Sequence, residues 1–224
     1  MAKGYPPAVA SKPPSERREE LVCVYREMCD VHACPLQDVR TKLVFGAGNA
    51  NADLMFVGEA PGAQEDQQGL PFVGRAGQLL NQCLEEIGIQ RSDVFITNVI
   101  CCRPPGNRDP LPEEIDACKP YLYRKIELIE PKVICTLGNF ATKLLTGNPT
   151  GITKVHGRPQ ERELGGRIVQ LFPLFHPAAA LRTDSVKQLL RADLAKLPPL
   201  LAVPDEQLEE REEADDIEQL GLFQ

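Results

Sequence analysis

The sequence predicts an α/β fold, a three-layer α/β/α arrangement around a central four-stranded parallel sheet. Three observations predict it. Short apolar runs of strand length alternate with segments whose apolar residues recur at helical spacing. Within each run the apolar residues are consecutive, as in strands covered on both faces. The connections between runs are long enough to hold a helix, so right-handed crossovers join parallel neighbours.

The elements follow in chain order. Residues 1–15 are rich in Pro and Ser and read as a disordered leader to a domain spanning 16–203. From Ser15 a capped helix is expected, with Leu21, Val24, Tyr25 and Met28 on one stripe. Leu54-Met55-Phe56-Val57 ends in Gly58 as a buried strand should, and Arg75 to Ile87 carries Leu79, Leu80, Cys83, Leu84 and Ile87 at helical spacing. Val94-Phe95-Ile96 is the second strand, and Pro112 to Ile129 the helix after it, with a proline near its start. Val133 to Leu137 is the third strand, followed by a helix around Phe140 to Leu145. Ile168 to Leu174 is the fourth, and a helix from Ser185 to Leu197 closes the domain. Ligands of such sheets bind at the carboxyl ends of strands, here Gly58, Thr97-Asn98, Gly138 and Phe175-His176-Pro177.

Composition narrows the class. With 42% hydrophobic and 25% charged residues in 224, the chain is neither collagen-like, coiled-coil nor disordered. No run approaches the roughly 20 apolar residues that span a bilayer, and Met1 to Pro14 lacks the apolar core of a secretory signal, so a cytoplasmic address is expected. The net charge of −7 is concentrated in residues 205–218, where nine acids face Arg211 alone. The rest of the chain is close to neutral, so the acidic balance does not exclude nucleic acid as a partner. Eight cysteines without a secretory signal point to metal or cluster ligation rather than to disulfides.

The strand-end loops carry the chemistry. Gly58-Glu59-Ala60-Pro61-Gly62 leads to Glu65-Asp66 and then to Gly69-Leu70-Pro71-Phe72-Val73-Gly74-Arg75-Ala76-Gly77. A Gly- and Pro-rich loop after a buried strand can turn backbone N–H groups towards a ligand oxygen, beside the N-terminus of the following helix. Asn98 both donates and accepts, as reading the edge of a planar base requires. His176 stands on the same rim. Taken singly, these are also a long connection with tight turns, a strand-end turn residue and a solvated histidine. Together with Cys102-Arg103-Pro104-Pro105-Gly106-Asn107-Arg108, they resemble the uracil-DNA glycosylase superfamily, in particular its type 4, iron–sulfur-containing branch. The resemblance spans about residues 29–198 with every signature loop in order.

That resemblance implies a monofunctional enzyme that flips uracil out of single- or double-stranded DNA and hydrolyses its N-glycosidic bond in base excision repair, acting as a monomer at the bacterial nucleoid. Phe72 would stack on the base, Asn98 would read its N3/O4 edge, and the backbone of Gly58, Glu59 and Ala60 would line the pocket. His176 would donate to O2 as negative charge accumulates there, an effect worth about 3–4 kcal/mol per donor in other enzymes. Ala60 replaces the Asp with which some branches hold the attacking water, so that task falls to Glu59, Glu65 or Asp66, or the water needs little activation. Leu181 is the expected wedge into the vacated stack, and Arg103, Arg108 and Arg182 are expected to meet DNA.

The resemblance also implies a [4Fe-4S] cluster on four thiolates. Cys34, Cys102 and Cys118 match its second, third and fourth ligands. Val31 stands where relatives have the first, so the nearest earlier thiol, Cys29, is preferred over His32. Structural zinc on the same residues is the alternative. Cys101 is expected to be buried against the sheet, and Cys23, Cys83 and Cys135 to be small core residues. The acidic tail, 204–224, ends in Gln219-Leu220-Gly221-Leu222-Phe223, which resembles the bacterial sliding-clamp-binding peptide. Gln219, Leu220, Leu222 and Phe223 would be its anchors on a disordered tether. Two other functions compete. An iron–sulfur redox or electron-transfer protein would also use the thiols, but they are dispersed rather than set as Cys-x3-Cys-x2-Cys. A nucleotide-binding regulator is suggested by Gly46-Ala47-Gly48, but these glycines precede their strand.

Overall fold

The computed structural model describes residues 13–30 and 34–202. Residues 1–12 of the expected 1–15 leader, His32 and the acidic tail with Gln219, Leu220, Leu222 and Phe223 lie outside the described residues, whereas Pro14 and Ser15, expected in the leader, open the first helix. In chain order the first half forms α1 (Pro14–Asp30), β1 (Ala47–Gly48), β2 (Leu54–Gly58), α2 (Ala63–Gln68), α3 (Arg75–Glu86), β3 (Phe95–Asn98) and α4 (Pro112–Ile129). The second half forms β4 (Val133–Leu137), α5 (Asn139–Thr146), α6 (Ile152–Val155), β5 (Gln160–Leu164), β6 (Arg167–Leu174), α7 (Pro177–Ala180), α8 (Asp184–Leu194) and α9 (Leu197–Leu201).

The four expected strands are the centre of the sheet: β3, β2, β4 and β6 lie side by side and parallel. Alternate residues face opposite layers. Met55, Val57, Phe95 and Ile134 pack with α1, α4 and α5, while Leu54, Phe56, Ile96 and Cys135 pack with α3, α8 and α9. The three-layer fold is therefore as expected, with two strands added. β1 and β5 extend the sheet at either edge and are antiparallel to their neighbours. β1 has two residues, too few for a periodicity, and Gly48 is required where the Val94 carbonyl would stand 1.9 Å from any Cβ. β5 is polar at its first four residues, Gln160 to Glu163, and only their burial alternates, half-buried against exposed, because it is an edge strand. It returns through Gly165-Gly166, both at positive φ, as a two-residue hairpin loop requires.

Two expectations for the first helix are corrected. The buried stripe of α1 is Arg17, Leu21, Val24 and Met28, spaced by four, three and four. Cys23 falls off that stripe and is exposed rather than core. Tyr25 lies at the stripe's edge, 42% exposed, its ring edge-on to Phe45 at 5.7 Å. Cys83 and Cys135 are buried as expected. Among the described residues no helix is long and apolar enough to cross a membrane.

Candidate active site and thiol site

The ends of β2 and β3 meet with Gly58 opposite Asn98. The ladder continues past both strands, since Val99 N–H donates to the Gly58 carbonyl at 2.9 Å and Ile100 N–H to that of Glu59 at 3.1 Å. Any Cβ on Gly58 would stand 2.4 Å from Asn98 Oδ1 and 2.7 Å from the Phe72 ring. The missing side chain is thus the gap between the amide and the aromatic face. Asn98 is 1% exposed, and its Oδ1 has no hydrogen-bond partner among the described residues. A buried carbonyl left in that state costs about 1–3 kcal/mol, which a ligand donor would recover.

Phe72 is held in position by its loop. Its φ of 53° is unusual for an aromatic residue and needs support from its surroundings. Glu65 on α2 provides it: Oε1 accepts from the N–H groups of Val73 (3.0 Å) and Gly74 (2.8 Å), the latter being the residue that precedes α3. Gly77 lets α3 pass beneath, since a Cβ there would lie 1.8 Å from the Phe72 carbonyl oxygen. The Phe72 ring then faces His176, with centroids 5.7 Å apart and planes inclined by 32°.

His176 precedes α7, and its Nδ1 accepts from the Ala178 N–H at 3.1 Å. An accepting Nδ1 on a neutral ring assigns the proton to Nε2, which leaves Nε2–H as the donor. Burial lowers the His176 pKa to about 4, against an opposing pull from Glu65, so the ring is neutral at pH 7. Gly138 gives it room, with a hypothetical Cβ only 3.2 Å from His176 Cβ. Of the three acids open for the water, two hold loops. Glu65 binds the Phe72 loop, and buried Asp66 accepts from Thr41 N–H at 2.9 Å. Glu59 is half-buried, and burial with the nearby Asp109 charge raises its pKa. Ala60 beside it is also half-buried.

The expected DNA contacts surround this site unequally. Arg103 Nε donates to Asn107 Oδ1 at 2.7 Å. Arg108 forms a two-pronged ion pair with Glu114 at 2.9 and 2.5 Å, which engages its guanidinium within the protein. Leu181, at the end of α7, is 39% exposed, and Arg182 beside it is exposed.

Three of the four expected ligands share a small cavity with Met28, Arg40 and Tyr121: Cys34, Cys102 and Cys118. Cys34 and Cys102 sulfurs are 3.6 Å apart, and Arg40 donates to Cys102 Sγ at 3.4 Å. Hydrogen bonds from Cys102 and Cys118 lower the Cys34 pKa to about 3, while the bond to Cys34 and burial raise that of Cys102, and bonds to Cys101 and then Cys34, with burial, raise that of Cys118. Cys101 is buried as expected but also hydrogen-bonds Cys118. Cys29 lies outside this cavity, in a neighbouring groove beside Arg40, where it bonds Tyr25. Among the described residues no three His, Cys, Asp or Glu side chains stand in position to hold a metal ion. The chemistry of the donors nevertheless suits a cluster: soft sulfurs, buried at Cys102 and Cys118 and half-buried at Cys34, with a guanidinium at hand to offset anionic charge.

Residues 45–197 match the family model described as the uracil DNA glycosylase superfamily. A type-4 uracil-DNA glycosylase of Sulfurisphaera tokodaii is 44% identical over 191 residues, 83% of this chain and 87% of that one. One from Thermotoga maritima is 46% identical over 183 residues, 80% of this chain and 94% of the relative. A DNA polymerase of Bacillus phage SP01 is 35% identical over 167 residues, 74% of this chain but 18% of the polymerase.

Proposed function

The chain belongs to the uracil DNA glycosylase superfamily and is a uracil-DNA glycosylase, and we propose that it excises uracil from DNA in the pocket bounded by Gly58, Phe72, Asn98 and His176. The observation that carries this assignment is the convergence of the Phe72 ring, the unpartnered Asn98 oxygen and the His176 ring around Gly58.

In this reading, the flipped uracil stacks on Phe72 against the backbone of Gly58, Glu59 and Ala60. Asn98 Oδ1 accepts from N3–H, and its amide donates to O4. Cytosine is refused because its 4-amino group is a donor where the amide is also one. As the glycosidic bond lengthens, Nε2–H of neutral His176 donates to O2 and stabilises the departing anion. Glu59 orients the water, the one acid of the three not occupied with a loop. Leu181 fills the vacated stack, and Arg103 and Arg182 meet phosphates, with Arg108 joining them by exchanging Glu114 for DNA.

Cys29, Cys34, Cys102 and Cys118 would hold a [4Fe-4S] cluster, which supplies cross-linking of the chain rather than a step of the reaction. The terminal Gln219, Leu220, Leu222 and Phe223 would dock on the sliding clamp, a reading that rests on their resemblance to the clamp-binding peptide. Equal pull-down of clamp by the full chain and by one ending at Val203 would refute that. The central test is excision from a uracil-containing oligonucleotide, read by alkaline cleavage. His176→Ala and Asn98→Ala should each lose about 10²–10³ in rate while remaining folded. Near-normal turnover in both would overturn the pocket assignment.

A further inference from the structure

Lys125 is 0% exposed on α4, two helical turns beyond Cys118, and none of its partners is a carboxylate. Its Nζ lies 2.7 Å from the Phe45 carbonyl, 3.0 Å from Thr97 Oγ1 and 3.5 Å from Cys101 Sγ, and 4.5 Å from the centre of the Phe45 ring. Thr97 spends its own hydrogen on the Phe45 carbonyl at 2.8 Å, so it can only accept from the lysine. A carbonyl, an already donating hydroxyl and a sulfur are three acceptors for three hydrogens, the count of an ammonium ion. A buried cation needs a negative partner nearby. Among its contacts in the described residues, the Phe45 ring offers only a π face, and the one group that can lead to a full negative charge is Cys101, whose sulfur also bonds Cys118.

We propose that Lys125 is the internal counter-cation of the thiol site, acting on the bound cluster through Cys101 as a positioning and charge-setting residue. The inference rests on the cluster reading above. The contacts run from the Lys125 ammonium to the Cys101 sulfur and on to Cys118, which shares its cavity with Cys34 and Cys102, so the positive charge stands one residue behind the ligating sulfurs. Hydrogen bonds to ligating sulfurs and nearby positive charge both favour the more reduced cluster. Arg40 acts in the same way on Cys102 from the other side. Thr97, which also binds the lysine, precedes Asn98 on β3 but faces the opposite layer. The charged node therefore braces the strand from behind without entering the pocket.

The test uses the full chain, reconstituted with iron and sulfide without oxygen, and reads iron content and the one-electron midpoint potential. Lys125→Met keeps the volume of the side chain, and Thr97 still satisfies the Phe45 carbonyl, so a folded protein is expected. Its reduction equilibrium should shift at least tenfold towards the oxidised cluster, about 59 mV. Cys101→Ala leaves the lysine but breaks the relay and should move the potential the same way by less. An iron-loaded Lys125→Met at the wild-type potential would overturn the proposal. So would an unchanged Cys101→Ala, which decides the matter if Lys125→Met does not fold. A wild-type chain that takes up no iron would instead overturn the cluster reading together with this one.

Discussion

His176 shows how one backbone contact can define a side chain's chemistry. The Ala178 N–H occupies Nδ1, and burial holds the ring neutral down to about pH 4, so Nε2–H is available as a donor throughout the neutral range. Excision under single-turnover conditions should therefore show no inflection from this histidine near its ordinary pKa of 6.5. A step there that vanishes in His176→Gln would contradict the assignment. Stability behaves differently. Between pH 6.5 and about 4 the unfolded chain binds a proton at this histidine that the folded one refuses. The neutral site is therefore fully tolerated above pH 6.5, and stability is lost as pH falls through that window, a loss His176→Gln should reduce in acid unfolding curves. Gly58→Ala is a second test, because its methyl would enter the space between Asn98 Oδ1 and the Phe72 ring. Excision should disappear while the circular dichroism spectrum stays unchanged. These rim residues were legible in the sequence because each stands at a strand end. The tautomer and the lack of a partner for Asn98 were not, since both depend on neighbours that only the folded backbone supplies.

Between elements, one carboxylate ties α2 to the start of α3. Glu65 accepts two N–H groups through a single oxygen, and their negative partner sits at the start of α3, where helix N–H groups lack intrahelical acceptors. Hydrogen bonds to a charged group are worth about 1.5–3 kcal/mol each, although geometry and relaxation reduce the net value. Glu65→Ala should cost about 1–3 kcal/mol in denaturant unfolding and lower the excision rate by freeing Phe72. Glu65→Gln keeps a carbonyl oxygen that can accept both N–H groups, so it should recover most of the rate. If Gln were as damaging as Ala, a role in activating water would explain Glu65 better than a role in holding the loop. The sequence offered Glu65 as one of three acids near the pocket and could not separate them. Their acceptor duties fall on N–H groups eight or more residues away in the chain. The edge strands were missed for a related reason, since Ala47–Gly48 has no periodicity of its own. β5 was missed because four of its five residues are polar, although the Gly165-Gly166 pair that returns it to β6 could have marked a hairpin.

At the scale of the whole molecule, the sheet separates the two chemistries. Phe72 belongs to the layer packed by α3, α8 and α9, whereas Cys34, Cys102 and Cys118 belong to the layer packed by α1, α4 and α5. Asn98 and Cys102 are nevertheless four residues apart, so any group that fixes the thiols also fixes the loop that leaves β3 and carries Arg103, a proposed DNA contact. The strand itself is secured independently by its pairing with β2 and by Thr97. Removing the proposed cluster, by chelation or by Cys102→Ala, should therefore affect the two functions unequally. The cross-link between residue 34, the 99–108 loop and α4 would be lost, and thermal unfolding should move down by several degrees, since about 1 kcal/mol corresponds to roughly 2–4 °C in a chain of this size. DNA affinity should weaken through the Arg103 loop, while the excision rate of bound, saturated enzyme should change little because Asn98 keeps its neighbours. Calorimetry with single-turnover kinetics over a range of enzyme concentrations separates these effects. A fall in the saturated rate with unchanged affinity would mean that the thiol layer reaches through the sheet to the pocket, and the separation of the two layers would have to be abandoned.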